Sequence, residues 1–283
     1  MKRLSFFLYG VFNHLLFFAV FGYMAGFVGN FLVPKSIDSN PGSGTGASAV
    51  GMDLFLLALF ALQHSVMARP WFKHYWTKIV PQPIERSTYV LFSNIVCIIL
   101  FWQWQSLNTV VWNVDGAVAR NILWAFFAAG WLMVPTVSLM INHFDLFGTR
   151  QVWLYFRGQP YTELPFRTPL LYSKIRHPLY VGWALAFWAT PTMTVGHLLF
   201  AGTMTVYMAL AALVEERDLL NHFGHAYRSY RERVPMFFPR LCKSEKLAEV
   251  RVSGRLEKQN ANTSKVNRYA LETGRTDAFA LII

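Results

Sequence analysis

Three short stretches gather most of the side chains able to do chemistry. Residues 172–183 read YSKIRHPLYVGW, so Lys174, Arg176 and His177 stand just before Pro178 and an apolar run follows. Proline is favoured at the first position of a helix, where its missing N–H would be unpaired anyway. The unpaired N–H groups and the dipole of such a helix start attract anions, and Arg176 and His177 add donors at the same place. One reading is a seat for a carboxylate or phosphate. The other is a basic collar beside a membrane segment, and charge alone favours the collar.

The second stretch, 213–239, sets Glu215 and Glu216 side by side where an apolar run ends. Adjacent carboxylates are costly unless cations or a ligand answer them. Beyond them Leu220, Phe223, Tyr227, Tyr230 and Val234 recur at three- and four-residue spacing. This pattern predicts an amphipathic helix with Arg228, Arg231 and Arg233 among its polar positions; taken alone, such a helix reads first as one lying on a membrane surface. The third stretch, NHFDLFGTRQVW at 142–153, brings Asn142, His143, Asp145 and Arg150 together, with Gly148 marking a turn. It is either the lip of a pocket, with His143 and Asp145 facing a ligand, or an interfacial loop whose polar groups satisfy one another. Elsewhere His14 and His64 sit within apolar runs and are expected to be hydrogen-bonded between helices. Cys97 and Cys242 lack metal-ligand spacing and imply no disulfide framework.

The elements that position these residues follow from composition. Of 283 residues, 54% are hydrophobic and only 14% charged, against about 25% charged in a usual soluble chain. The apolar residues fall in blocks of about 18–25, enough to cross a hydrocarbon core roughly 30 Å thick. Spans are predicted at 4–32, 52–68, 88–112 and 120–141. A helix–break–helix element then covers 178–217, broken at Thr190-Pro191-Thr192. It forms either two spans or a hairpin dipping into the membrane, and periodicity cannot decide, because a lipid-facing helix is apolar all round. The first block is too long for a signal-peptide core of about 7–15 residues and is read as a retained span.

Basic residues alternate along the chain. They crowd the N-terminus (Lys2, Arg3), the 69–87 loop (Arg69, Lys73, Lys78, Arg86), the 143–177 segment and the part after Glu216, whereas the 33–51 loop carries only Lys35. By the positive-inside rule both termini are predicted to be cytoplasmic. The net charge of +11 is therefore mostly a topology signal. Nucleic-acid binding is not expected, because the charges are split among loops and no binding module is present. SNPGSGTGASAVG at 39–51 is expected to be a flexible outer loop. The expected division is one membrane domain over 1–243 and a disordered tail over 244–283.

Taken together, the stretches carry a more specific signal. Arg176-His177-Pro178-Leu179-Tyr180, a helical hairpin, then Glu215-Glu216, Leu219, Phe223-Gly224, Tyr227 and Tyr230 resemble the isoprenylcysteine carboxyl methyltransferase and phospholipid methyltransferase superfamily over about 170–240. The run Asn142-His143-Phe144-Asp145-Leu146-Phe147-Gly148-Thr149-Arg150-Gln151-Val152 resembles its nurim-related branch. Similarity to the bacterial methanethiol S-methyltransferase family covers most of 4–240.

This resemblance implies an all-α, polytopic bundle of five or six membrane helices. The last two would form a hairpin, followed by a cytoplasmic amphipathic helix. It implies S-adenosylmethionine as methyl donor, with Arg176, His177 and Tyr180 at its amino-acid end and Glu215 and Glu216 against its adenosine or ammonium groups. Tyr227, Arg228 and Arg231 would close the cavity. The implied reaction turns a small volatile thiol, methanethiol, into dimethyl sulfide in a bacterial inner membrane, at the lipid bilayer. A thiol is a good nucleophile only as thiolate, so a base or cation is expected beside it, and His143, Asp145 and Arg231 are the candidates. A prenylcysteine or phospholipid substrate, or a non-catalytic nurim-like scaffold, remains the alternative, and the oligomeric state is left open. The joint presence of the Arg-His-Pro-x-Tyr and Glu-Glu elements argues against the scaffold.

Overall fold

The computed structural model describes residues 1–39 and 46–239. Residues 40–45 of the expected outer loop, Cys242 and the expected tail lie outside the described residues. Among the described residues, five helices are long and apolar enough to cross a membrane: α1 (Lys2–Gly29), α2 (Gly46–Met67), α4 (Gln82–Gln103), α5 (Ala117–Ile141) and α9 (Val195–Phe223). The protein is an integral membrane helical bundle. In a bilayer each backbone polar group must be satisfied within the protein, which is why the spans are helices. Their outer faces stay apolar and exposed, as at Leu8, Phe12 and Leu15 of α1 and Val206, Leu210 and Leu213 of α9.

Short elements join the spans. They are α3 (Pro70–Trp76), α6 (His143–Leu146), α7 (Thr149–Phe156), a 3-10 turn at Leu170–Ser173, α8 (Pro178–Trp188) and α10 (His225–Arg233). Two strands also form, β1 (Val110–Asn113) and β2 (Thr192–Thr194), paired antiparallel with Val110 opposite Thr194 and Asn113 opposite Thr192.

The structure corrects several expected boundaries. The span expected at 88–112 stops at Gln103. The apolar run continues because Trp104 is fully buried, its indole N–H donating to Ile37 O at 3.2 Å. Beyond it, Val110–Asn113 form a strand rather than a helical turn. Residues 46–51, expected in the flexible loop, are the first turns of α2; small residues such as Ala47 and Ala49 are strong or neutral helix formers and do not by themselves mark a linker. The amphipathic helix expected across 220–234 is two helices. α9 runs on to Phe223, Gly224 turns the chain with φ 53 and ψ −117, and α10 follows. That backbone conformation is one that essentially glycine alone adopts. The apolar face survives the turn: Leu219, Tyr227, Tyr230 and Val234 are buried together, packed with Phe166 and Phe223.

The 178–217 element is a hairpin of unequal arms. The 11 residues of α8 rise only about 16 Å, roughly half a hydrocarbon core. The rise is completed by extended chain, where Pro191 O accepts from Val114 N–H at 3.0 Å and β2 pairs with β1. α8 lies against α5 with backbones in close approach. A Cβ on Gly130 would stand 2.4 Å from Ala186 N and 2.8 Å from Gly182 O, the small-residue contact by which membrane helices pack. Neither neighbour is a movable side chain. Gly130→Ala is therefore expected to lower stability by about 1–3 kcal/mol through overpacking, read as a lower thermal midpoint in detergent, and to reduce activity by displacing the start of α8. An unchanged midpoint would show that the helices separate without cost.

Candidate active site

The two carboxylates of α9 organise the site. Glu215 is 3% exposed and Glu216 6% exposed, eight and seven residues before the helix ends. Glu216 is answered from three directions. Arg176 Nε lies 2.7 Å from its Oε1, at an angle unsuited to a hydrogen bond, so the contact is an ion pair and the Nε–H remains an unspent donor. His177 Nε2 lies 3.2 Å from the same oxygen, and Arg231 Nη1 3.9 Å from Oε2. Because a carboxylate only accepts, His177 must carry its proton on Nε2. Glu215 Oε2 accepts from the Tyr180 hydroxyl at 2.9 Å and lies 3.7 Å from His177 Nδ1.

Local sequence explains how these groups meet. Pro178 starts α8 without an N–H to waste, and His177 is the capping residue. The N–H groups of Leu179 and Tyr180 fall in the first turn, where a helix supplies no partner. Three residues apart on one face, His177 and Tyr180 stack with ring centroids 5.3 Å apart and planes within 2°. The chain leaving α10 then closes over this start as a strap. Arg176 N–H donates to Pro235 O at 2.9 Å and His177 N–H to Met236 O at 3.1 Å, while Arg176 Nη1 donates to Arg231 O at 2.8 Å.

Tyr230 donates to Tyr172 O at 2.7 Å, and Tyr227 is buried beside it. Burial pushes the phenols of Tyr172, Tyr227 and Tyr230 well up, and the nearby carboxylates add to it, with Arg176 opposing at Tyr230. All three are therefore neutral hydroxyls near pH 7.

Two cavities meet at this point. A small one of about 10 Å³ is bounded by Tyr172, Arg176, His177, Leu179, Tyr180 and Glu215. A larger one of about 150 Å³ lies inside the bundle, with Phe17, Phe21, Phe60, Trp183, Phe187 and Phe200 among its apolar walls. Leu179 and Tyr180 line both. The polar cluster and the apolar chamber thus share one wall, and the Tyr180 hydroxyl belongs to the polar side through Glu215.

Of the residues singled out in the sequence, Arg176, His177, Tyr180, Glu215, Glu216 and Arg231 come together here, with Tyr227 packed behind them. Arg228 is on the exposed face of α10, away from the cluster. His143 and Asp145 lie outside the cluster, each engaged by its own neighbours. His143 uses both ring nitrogens, Nε2 with His14 Nε2 at 2.9 Å and Nδ1 with Ser138 Oγ at 2.7 Å. His14 Nδ1 in turn meets Thr149 Oγ1 at 2.6 Å. Asp145 accepts from Arg150 at 2.8 Å and from the Tyr161 hydroxyl at 3.2 Å. Neither His143 nor Asp145 lines either cavity. Sequence reasoning missed Tyr172 and the 235–237 strap, which act through backbone carbonyls and leave no residue-type signal. It also passed over Asn94, whose only signal was an amide inside a span.

No family model matches the chain. It is 49% identical over 236 residues to methanethiol S-methyltransferase of Crocosphaera subtropica, covering 83% of this chain and 92% of that one. It is 50% identical over 239 residues to the protein of the same name from Mycobacterium tuberculosis, covering 84% and 98%. This chain belongs to the methanethiol S-methyltransferase family. Nurim of Xenopus laevis is more distant, at 30% identity over 226 residues, 75% of this chain and 73% of that one. The nurim-related branch is thus the setting of the methanethiol S-methyltransferase family, and the methyltransferase reading of the sequence holds. No solved structure matches.

In this family member the His14–His143 pair sets a pH limit. Burial, and then the neighbouring His14, pull His143 down from 6.5 to about 4. Between those values the unfolded chain binds more protons than the folded one, so stability rises with pH. The contribution is complete above about 6.5 and is lost as pH falls through 4. The thermal midpoint in detergent is expected to drop between pH 6.5 and pH 4, and to drop less in His143→Asn. Equal drops in both proteins would show that His143 does not resist protonation.

Proposed function

We propose that this protein methylates methanethiol to dimethyl sulfide with S-adenosylmethionine as donor, and that its polar cluster faces the cytoplasm of a bacterial inner membrane with both termini on that side. The observation that carries the reading is the shared wall. Leu179 and Tyr180 separate a charged cluster, suited to a water-soluble zwitterion, from an apolar chamber suited to a small thiol. The relatives' names supply the thiol, and the basic loops around the cluster support the orientation.

The donor set fits the cofactor. Arg176 Nε–H is buried without a hydrogen-bond partner, and with Arg231 and the first-turn N–H groups of α8 it can hold the carboxylate. Glu216 and Glu215 can hold the ammonium or adenosine groups, with His177 and Tyr227 shaping the site. The space there, about 10 Å³, is that of about one water molecule. Binding therefore requires α10 and the strap to swing off the start of α8, with Arg176 and Arg231 turning from Glu216 to the ligand. When bound, the cofactor supplies an electrophilic methyl on a sulfonium sulfur.

The chain's own work is alignment, exclusion of water and removal of one proton. His143 and Asp145 are occupied elsewhere, so the proton is assigned a different path. A thiol in the apolar chamber donates to the Tyr180 oxygen, and Tyr180 passes its own proton to Glu215, 2.9 Å away. Arg231 then helps hold the cofactor rather than the thiolate.

The deciding experiment is a headspace assay on purified protein. Dimethyl sulfide should appear only with both methanethiol and S-adenosylmethionine present. Arg176→Met should weaken cofactor binding at least tenfold, about 1.4 kcal/mol, and Tyr180→Phe should lower kcat far more than cofactor affinity. A protein that ignores methanethiol yet methylates a prenylcysteine or phosphatidylethanolamine would overturn the substrate assignment. For topology, an impermeant maleimide should label Ser43→Cys in intact cells; labelling at Lys78→Cys instead would invert the orientation.

A further inference from the structure

The chamber inside the bundle is larger than methanethiol requires. Its volume is about 150 Å³, and a dry apolar cavity of about that size accepts a benzene ring. Most polar groups on its wall are engaged with neighbours. His64 Nδ1 lies 3.3 Å from Ser93 Oγ, the Tyr89 hydroxyl donates to His64 O at 3.2 Å, and the Tyr207 hydroxyl pairs with Ser65 Oγ at 3.2 Å.

Asn94 is different. It lies within α4, is 3% exposed and lines the chamber, yet its Nδ2 has no hydrogen-bond partner. A buried amide left unpaired is costly, whereas an apolar side chain of the same shape carries no such penalty. An unspent N–H donor in an apolar chamber that also touches Tyr180 is the chemistry needed by a sulfur gaining negative charge.

We propose that this chamber is the subsite for the thiol's apolar group, that it accepts small apolar thiols up to the size of benzenethiol, and that the Asn94 amide donates to their sulfur. The proposal rests on the S-methyltransferase reading above. The reaction balances in the same way for each substrate. The S–H bond breaks and its proton passes toward Tyr180 and Glu215. A sulfur lone pair forms the new S–CH3 bond as the methyl–sulfonium bond of S-adenosylmethionine breaks, its electrons remaining on the donor sulfur. Benzenethiol gives methyl phenyl sulfide, neutral and membrane-soluble like dimethyl sulfide. A prenylated cysteine has several times the bulk of benzene and exceeds a volume of about 150 Å³.

The test uses the full-length protein in nanodiscs with S-adenosylmethionine and methanethiol, benzenethiol or 2-naphthalenethiol, measuring methyl sulfides by gas chromatography. Benzenethiol should be turned over with kcat/KM within about tenfold of methanethiol, and 2-naphthalenethiol at least about a hundredfold less well, a gap that pocket sterics can supply. Ala211 lines the chamber one turn before Glu215, and Ala211→Phe should shift the benzenethiol-to-methanethiol ratio of kcat/KM by at least about tenfold against the larger thiol. Dimethyl sulfide without methyl phenyl sulfide would overturn the subsite while leaving the methanethiol reading intact. No product from any thiol would overturn that reading itself.

Binding is measured separately from turnover. Methyl phenyl sulfide should raise the thermal midpoint of the wild type and not of Ala211→Phe; no shift in the wild type would sink the chamber as a ligand site. Asn94→Leu should keep or raise the thermal midpoint, because it removes an unpaired amide. It should also lower kcat/KM for the thiol about tenfold, the weight of one charge-assisted hydrogen bond, and move the rising limb of the pH–rate profile to higher pH. An unchanged kcat/KM and pH profile would remove Asn94 from the site.

Discussion

Two neighbouring carboxylates buried near the end of a membrane-crossing helix constrain the whole of the second half of this chain. Glu215 and Glu216 are each under a tenth exposed, and removing a partner from such a buried ion pair costs about 3–5 kcal/mol. Their compensation comes from three places in the sequence: Arg176 and His177 before α8, Tyr180 within it, and Arg231 on α10. The turn at Gly224 lets α10 fold back over α9, where Tyr227 and Tyr230 pack with Leu219 and Arg231 reaches Glu216. It also brings the strap onto the start of α8. A protein selected for stability alone would do as well with apolar residues of similar volume there. Keeping Arg176, His177, Tyr180, Glu215 and Glu216 in one largely buried knot supports a ligand that competes for them.

The short α8 meets a second requirement. A full-length helix would carry the Arg-His-Pro start further from the carboxylates or leave its far end without a place in the bundle. Half a crossing made of extended chain is tolerable in a membrane only where its backbone groups find partners. The β1–β2 pair and the Val114–Pro191 hydrogen bond provide these. The same shortening leaves α8 with four apolar or aromatic side chains, Leu179, Tyr180, Trp183 and Phe187, lining the chamber.

Much of this was legible in the sequence. The spans could be counted because length and composition suffice, and the cluster of Arg176, His177, Tyr180, Glu215, Glu216 and Arg231 was named because its residue types are rare in apolar surroundings. The half-length of α8 was not legible, since an apolar run facing lipid or core reads alike. The extension of one span to residue 112 failed for the same reason: Trp104 and the β1 strand are as apolar as a helix would be. His143 and Asp145 attracted attention by density of polar types, but sequence cannot show that Ser138, His14 and Arg150 already satisfy them. The chamber depends on which side chains fail to touch, which no local pattern records.

The position of Tyr180 ties the two halves of the site together. An apolar chamber penalises any charge placed in it, so a thiol there can ionise only as its proton leaves and its sulfur gains a donor. A carboxylate in the chamber would resist that second charge, and a histidine able to become cationic would cost the chamber its dryness. A phenol does neither. Its ring stacks on His177 and lines the chamber, and its hydroxyl donates to Glu215. It can therefore hand a proton across the wall while remaining neutral before and after. The proton neutralises Glu215, the negative charge it leaves on the sulfur is consumed as the S–CH3 bond forms, and the chamber is apolar again for the next substrate.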